Sequence, residues 1–208
     1  MSQLDLLYDG PEDGPVLALA HGAGAPMDSG WMNSFARGLG EQGVRVARFE
    51  FPYMRQRREG GRHRPPDREP VLRQAWLDVI AALGGGKDLV IGGKSMGGRF
   101  ASMVADEAGV RGLVCLGYPF HPPAKPRQLR VAHLENLQTP ALIVQGTRDP
   151  FGTREEVEGY RLSPNIRLFW SEDGDHSFKP RASTGRTEAG NLAEAVEEVA
   201  RFVRGLFG

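Results

Sequence analysis

Leu89-Val90-Ile91-Gly92-Gly93-Lys94-Ser95-Met96-Gly97-Gly98 is the stretch on which the reading of this chain turns. Leu89-Val90-Ile91 is a short apolar run of the length and composition of a buried strand, and it stops at a glycine pair. A helix is predicted to follow, from about Met96 to Ala108. Between the two lies a Gly-x-Ser-x-Gly turn. A strand-to-helix turn this tight strains its central residue and tolerates only small neighbours, which Gly93 and Gly97 supply. Ser95 is expected to stand above the sheet as a nucleophile, with the amide of Met96 facing any oxyanion that develops.

Strands and helices alternate on both sides of this turn. Upstream, the apolar run Val16 to His21 ends at Gly22. Asp28 and Ser29 are placed to cap a helix whose apolar residues Trp31, Met32, Phe35 and Leu39 recur at helical spacing, and Gly43 ends it. Val44 to Phe51 alternates as a strand and Pro52 stops it. Residues 53–69 hold Arg55, Arg57, Arg58, Arg62, Arg64 and Arg68 among Gly and Pro and are predicted to be a loop. Pro70 then opens a helix with Leu72, Trp76, Val79 and Ile80 on its apolar face. Downstream come strands at Leu113–Leu116, Ala141–Gln145 and Ile166–Trp170, a helix over Thr153–Tyr160 and a long amphipathic helix from Glu188. This order predicts an α/β fold: one domain over 1–208, a three-layer α/β/α sandwich with a mostly parallel sheet of about six or seven strands. No segment is long enough for a cap domain.

In an open parallel sheet ligands bind beyond the carboxyl ends of the strands, and three further segments fall there. Asp149, in Gly146-Thr147-Arg148-Asp149-Pro150-Phe151-Gly152, is a candidate to orient an imidazole; alone it also reads as a turn aspartate. His176, in Asp173-Gly174-Asp175-His176-Ser177-Phe178, is a candidate base, with Glu172, Asp173 and Asp175 as competing acids. His21-Gly22-Ala23-Gly24-Ala25 offers small residues beside a substrate carbonyl, and the amide of Ala23 is the candidate second oxyanion donor. Tyr53, Tyr118, Phe120, Phe151 and Phe178 follow strands and are candidates to line a substrate pocket or to pack in the core; Tyr53, Tyr118 and Phe151 are taken forward as substrate-binding residues. Lys94 either adds positive charge at the mouth of the site or covers a helix surface.

Other classes of function fit poorly. The 26 basic and 26 acidic residues balance, so the chain lacks the basic excess of a nucleic-acid binder. Its start, Met1-Ser2-Gln3-Leu4-Asp5, has neither the basic residues nor the apolar run of a secretory signal, and no apolar stretch reaches the ~20 residues of a membrane span. The lone Cys115 sits in an apolar run and reads as core. These features point to a cytoplasmic protein, a monomer or small homo-oligomer with no membrane partner. His21, His63, His121 and His133 have no metal-ligand spacing, so no metal or organic cofactor is expected. Gly93-Lys94-Ser95 resembles a phosphate-binding loop, but the glycine such a loop requires five residues before Gly93 is Asp88.

With these four segments in this order, the chain resembles the α/β-hydrolase superfamily from about Val16 to Leu206. It is similar to small capless members of the dienelactone-hydrolase type, although serine stands where those enzymes carry cysteine. His21-Gly22-Ala23-Gly24, Phe51-Pro52-Tyr53-Met54, Gly92 to Gly98 and Gly146 to Gly152 look like a group of hydrolases named after a testis-expressed protein. The order Ser95, Asp149, His176 is the family's triad order. The resemblance implies a serine esterase or acyl hydrolase acting on a small ester-like molecule, and no particular substrate. The arginines from Arg55 to Arg68 read as a solvated loop, with a cationic flap for anionic substrates as the alternative. A non-catalytic binding domain on the same fold is the rival reading of the whole chain.

Overall fold

Seven strands form one sheet, β1 (Leu7–Asp9), β2 (Val16–Ala20), β3 (Arg45–Phe49), β4 (Leu89–Lys94), β5 (Gly112–Leu116), β6 (Ala141–Gly146) and β7 (Ile166–Ser171), in the order β1-β3-β2-β4-β5-β6-β7. The computed structural model describes residues 4–60 and 64–208. Met1 to Gln3, Arg62 and His63, read above from sequence, lie outside the described residues. β1 runs antiparallel to β3, and every other pairing is parallel.

Alternation along the strands divides the core into two layers. Leu17 and Leu19 of β2 face α1 (Gly30–Glu41) and the long C-terminal helix Glu188–Gly205, where Phe35, Leu39, Val199 and Val203 are buried. Ala18 and Ala20 face the opposite side, against Trp76 and Phe100. Those two belong to helices over Glu69–Ala82 and Met96–Ser102. In chain order the helices are α1, α2 (Pro52–Arg58), α3 (Glu69–Ala82), α4 (Met96–Ser102), α5 (Arg154–Glu158) and α6 (Glu188–Gly205). The result is a single-domain α/β/α sandwich with no helical insertion over the strand ends among the described residues. No helix among the described residues is long and apolar enough to cross a membrane.

Three elements depart from the sequence reading. α4 ends at Ser102, short of the Ala108 expected, and residues 103–109 continue as turns. β1 has three mostly exposed residues and no alternation to betray it; edge pairing with β3 and the Arg48–Asp9 ion pair at 2.7 Å hold it. The segment predicted as loop begins with α2, in which Pro52 opens the helix, Tyr53 and Met54 are buried, and the arginines lie outward. Arginine is a good helix former, but two buried residues give no period to read.

The site is positioned by the order of the strands. From β3 the chain crosses β2 to reach β4, so the strand order reverses between β2 and β4, where ligands settle in sheets of this kind. The loop from His21 leaves β2 and Ser95 leaves β4, side by side at that point. Glycine is required for this approach: a Cβ on Gly93 would lie 2.7 Å from the Ala20 oxygen and 2.7 Å from the Gly97 carbonyl carbon, both backbone. Gly93→Ala is expected to cost about 1–3 kcal/mol through overpacking, read as a lower urea midpoint at unchanged slope.

Candidate active site

Ser95 sits at the N-cap of α4 with φ 52° and ψ −114°, a backbone conformation that side chains other than glycine rarely adopt. Its neighbours hold it there. The Ser95 amide donates to the Leu116 oxygen at 2.9 Å, and the Arg99 amide donates to the Ser95 oxygen at 3.0 Å. Below it, the Trp76 indole donates to the Gly97 carbonyl at 3.3 Å. Strain of this kind costs of order 1–3 kcal/mol and persists only where the surroundings fix it.

His176 reaches Ser95 from the loop after β7. Its Nε2 lies 2.9 Å from Ser95 Oγ, and its Nδ1 lies 2.8 Å from Asp149 Oδ2. The fully buried Asp149 carboxylate only accepts, so Nδ1 carries the proton and Nε2 offers its lone pair to the serine hydroxyl. The Asp149 carboxylate also accepts from the Phe151 amide at 2.9 Å and from Gln145 Nε2 at 3.0 Å. The buried Gln145 amide joins the end of β6 to Tyr118 of the next loop and to the acid. No sequence signal marks it, because it reads simply as the last residue of a strand. The competing acids are engaged elsewhere: Glu172 with Arg154, Asp173 with Arg148 and Arg181, and Asp175 with the amides of Ser177 and Lys179. Asn191 of α6 donates to the carbonyls of Glu172 and Phe178 at 3.0 and 2.8 Å and pins the histidine loop to the sandwich.

The loop after β2 is equally fixed. His21 is buried, and desolvation lowers its pKa. Its Nε2 accepts from the Phe51 amide at 3.1 Å and its Nδ1 donates to the Gly22 carbonyl at 2.7 Å. The Tyr53 hydroxyl donates to the Ala23 carbonyl at 3.0 Å. The amides of Ala23 and Met96 carry no hydrogen bond within the described residues, and both flank Ser95. A cavity of about 350 Å³ opens here, lined by Ala23, Trp31, Met32, Ser95, Phe151 and His176 among others. The Phe151 ring lies against the His176 imidazole with centroids 4.3 Å apart.

The sequence model of a family described as alpha/beta hydrolase domain matches residues 13–204. The chain belongs to this alpha/beta hydrolase family. Solved structures share the fold of this α/β hydrolase. One is an alpha-beta serine hydrolase homologue from Coxiella burnetii, at 20% identity, 95% of this chain, 90% of that chain and a TM-score of 0.69. Another is Est1E from Butyrivibrio proteoclasticus with ferulic acid bound, at 15% identity, 98% and 95% coverage and a TM-score of 0.73. A third is an a/b serine hydrolase without lid from Xanthomonas campestris, at 21% identity, 95% and 88% coverage and a TM-score of 0.63.

Several sequence expectations for this α/β hydrolase require correction. Tyr118 is 0% exposed and packs in the core, its hydroxyl donating to the Arg130 carbonyl at 2.9 Å, so it presents no surface to a substrate. Tyr53, 1% exposed, lies beneath the Ala23 loop and supports it instead of lining the cavity. Of the three residues assigned to substrate binding, only Phe151 lines the cavity. None of the described arginines from Arg55 to Arg68 lines it either; Arg58 instead pairs with Glu50 at 2.6 Å and Asp28 at 2.7 Å. Lys94 is not on a helix surface: it is 9% exposed, lines the cavity beside Ser95 and His176, and donates to the His176 carbonyl. Cys115 is core, and burial pushes its thiol upward, away from the reactive thiolate. A second serine–histidine contact joins Ser102 and His133 at 2.8 Å, but that serine donates to the Arg99 carbonyl, and burial together with Arg99 and Arg73 lowers His133 to about 4. No carboxylate hydrogen-bonds His133 among the described residues, and the cavity beside Ser95 is not lined by Ser102.

Proposed function

We propose that the chain is a serine hydrolase that cleaves small ester-like substrates through an acyl-enzyme. Ser95 is the nucleophile, His176 the base and Asp149 the acid that orients it. The observation that carries this reading is the unbroken run of hydrogen bonds from Asp149 through His176 to Ser95, at 2.8 and 2.9 Å, opening on an apolar cavity.

The geometry supports the following sequence. The Ser95 oxygen attacks the substrate carbonyl while its proton passes to His176 Nε2. The amides of Ala23 and Met96 hold the oxyanion, aided by the rigidity that His21 and Tyr53 give the first of them. The imidazolium returns the proton to the leaving alkoxide, which departs as the alcohol. Water then donates its proton to the same nitrogen and attacks the acyl carbonyl, releasing the acid and free Ser95. The cavity admits a short acyl or aryl group, with Trp31, Met32 and Phe151 as walls. The reading makes the chain carboxylesterase-like, places it in the cytoplasm and requires no cofactor.

Purified protein is expected to hydrolyse short aryl esters and to acquire one fluorophosphonate label, located on Ser95 by peptide mass mapping. Protein that neither labels nor turns over a panel of short esters is a binding domain, and the proposal fails.

A further inference from the structure

We propose that Lys94 is a positioning residue of this site, its ammonium tying the histidine loop to the strand that carries the nucleophile. The inference rests on the hydrolase reading above. Lys94 is the last residue of β4, directly before Ser95, and is 9% exposed. Its Nζ donates to the backbone carbonyl of His176. The Trp31 and Phe178 rings stand 5.6 and 6.0 Å from the ammonium. Burying an ammonium is costly, so a lysine in this slot implies a compensating bond, and the His176 carbonyl provides it.

The slot is shaped around that bond. Gly117, at the end of β5, has φ 63°, and a Cβ there would lie 3.0 Å from Lys94 Nζ and 2.9 Å from the His176 oxygen. His176 is thereby held at three points: Asp149 on Nδ1, Ser95 on Nε2 and Lys94 on its backbone. Two of these three come from adjacent residues, so Lys94, which lines the cavity with its ammonium committed to the His176 carbonyl, sets the distance from the imidazole to Ser95. The rest of the loop keeps its own ties, through Asn191 and through Asp173 with Arg148 and Arg181. Loss of the ammonium therefore loosens the imidazole and leaves the fold in place.

Charge matters to the strength of the bond, because ionised donors bond more strongly than neutral ones. Desolvation lowers Lys94 to about 8, while Asp149 and Asp175 act to raise it. Below that pH the donor is an ammonium; above it, a neutral amine with a weaker hold on the carbonyl. The groups facing Lys94 are Asp149 from the loop after β6, Asp175 and His176 from the loop after β7, and Ser95 beside it. Trp31 of α1 and Gly117, just after β5, bring no titratable group. All these neighbours remain when Lys94 is replaced, so an alkaline limb that disappears with the substitution belongs to Lys94.

The test compares wild type with Lys94→Met, which fills the slot without a donor, and with Lys94→Gln, which keeps an N–H but no charge. Hydrolysis of a neutral aryl ester is followed from about pH 6 to about pH 10. At neutral pH Lys94→Met is expected to lose about 10- to 100-fold in kcat with KM little changed, the signature of a misplaced base. Wild-type kcat is expected to fall above about pH 8, and Lys94→Met to lack that fall. Lys94→Gln is expected to fall between the two in kcat and also to lack the alkaline limb. A Lys94→Met protein that matches wild type in kcat and pH profile overturns the role of Lys94. A wild-type kcat that stays flat from about pH 6 to about pH 10 overturns it as well, whether or not either variant folds. Wild-type protein with neither ester turnover nor fluorophosphonate labelling overturns the hydrolase reading itself, and the role of Lys94 with it.

Discussion

Replacing Ser95 with alanine is expected to lower ester turnover by about 10⁶-fold and to abolish fluorophosphonate labelling altogether. The magnitude follows from how the group acts. Ser95 Oγ is the atom that would bond to the acyl carbon, and no other hydroxyl sits within reach of His176 Nε2 in the described residues. What survives is the contribution of the oxyanion amides and of binding, which retain some catalysis over water. Folding should not suffer. The strained φ of 52° is imposed by the turn whatever the side chain, and the serine hydroxyl is not the cap of α4. A melting temperature close to wild type, with turnover and labelling gone, is the expected outcome. Turnover that persists at a tenth of wild type would move the nucleophile elsewhere, with Ser102 the first residue to try.

Asp149→Asn is expected to lower kcat by about 10⁴-fold, with slow residual labelling of Ser95. The Asp149 carboxylate is surrounded by donors only. Oδ1 takes the Phe151 amide, and Oδ2 takes both Gln145 Nε2 and His176 Nδ1. An amide has one oxygen and one NH₂ group, so one of these faces must oppose a donor with a donor. If the NH₂ turns to His176, the imidazole shifts its proton to Nε2 and can no longer accept from Ser95. If it turns to the Phe151 amide, the loop that sets the acid distorts. Buried unpaired donors cost about 1–3 kcal/mol, so this variant, unlike Ser95→Ala, should also melt lower. A single-turnover assay with an activated ester separates the two losses. An Asp149→Asn protein with wild-type acylation rates would remove Asp149 from the mechanism.

Much of this was legible in the residues themselves, for reasons that differ from part to part. The inner strands are buried on both faces and read as continuous apolar runs, and the glycines of the elbow mark a contact between backbones that no other residue allows. Asp149 and His176 stood out only because of where they fall in the alternation of strands and helices. What stayed hidden depends on tertiary contact. Gln145, Asn191 and Lys94 each serve the site through hydrogen bonds to backbone or to the acid, which leave no pattern in sequence. Tyr118 and Tyr53 show why: an aromatic residue after a strand turns outward to a ligand or inward to the core equally well, and the packing of α2 and the loop after β5 turns both inward. The arginines between 55 and 68 concealed a helix for the opposite reason: their charge suggested solvent and nothing more.

The pairing of Ser95 with a histidine 81 positions later also bears on how the chain comes to life on the ribosome. Synthesis delivers the elbow first, and the strands that follow must each be laid against the growing sheet before the imidazole can arrive. For that whole interval the hydroxyl has no base and behaves as ordinary serine. On the proposed mechanism the nascent polypeptide gains ester reactivity only once its last parallel strand docks, and a fragment truncated before that strand would carry Ser95 without its base.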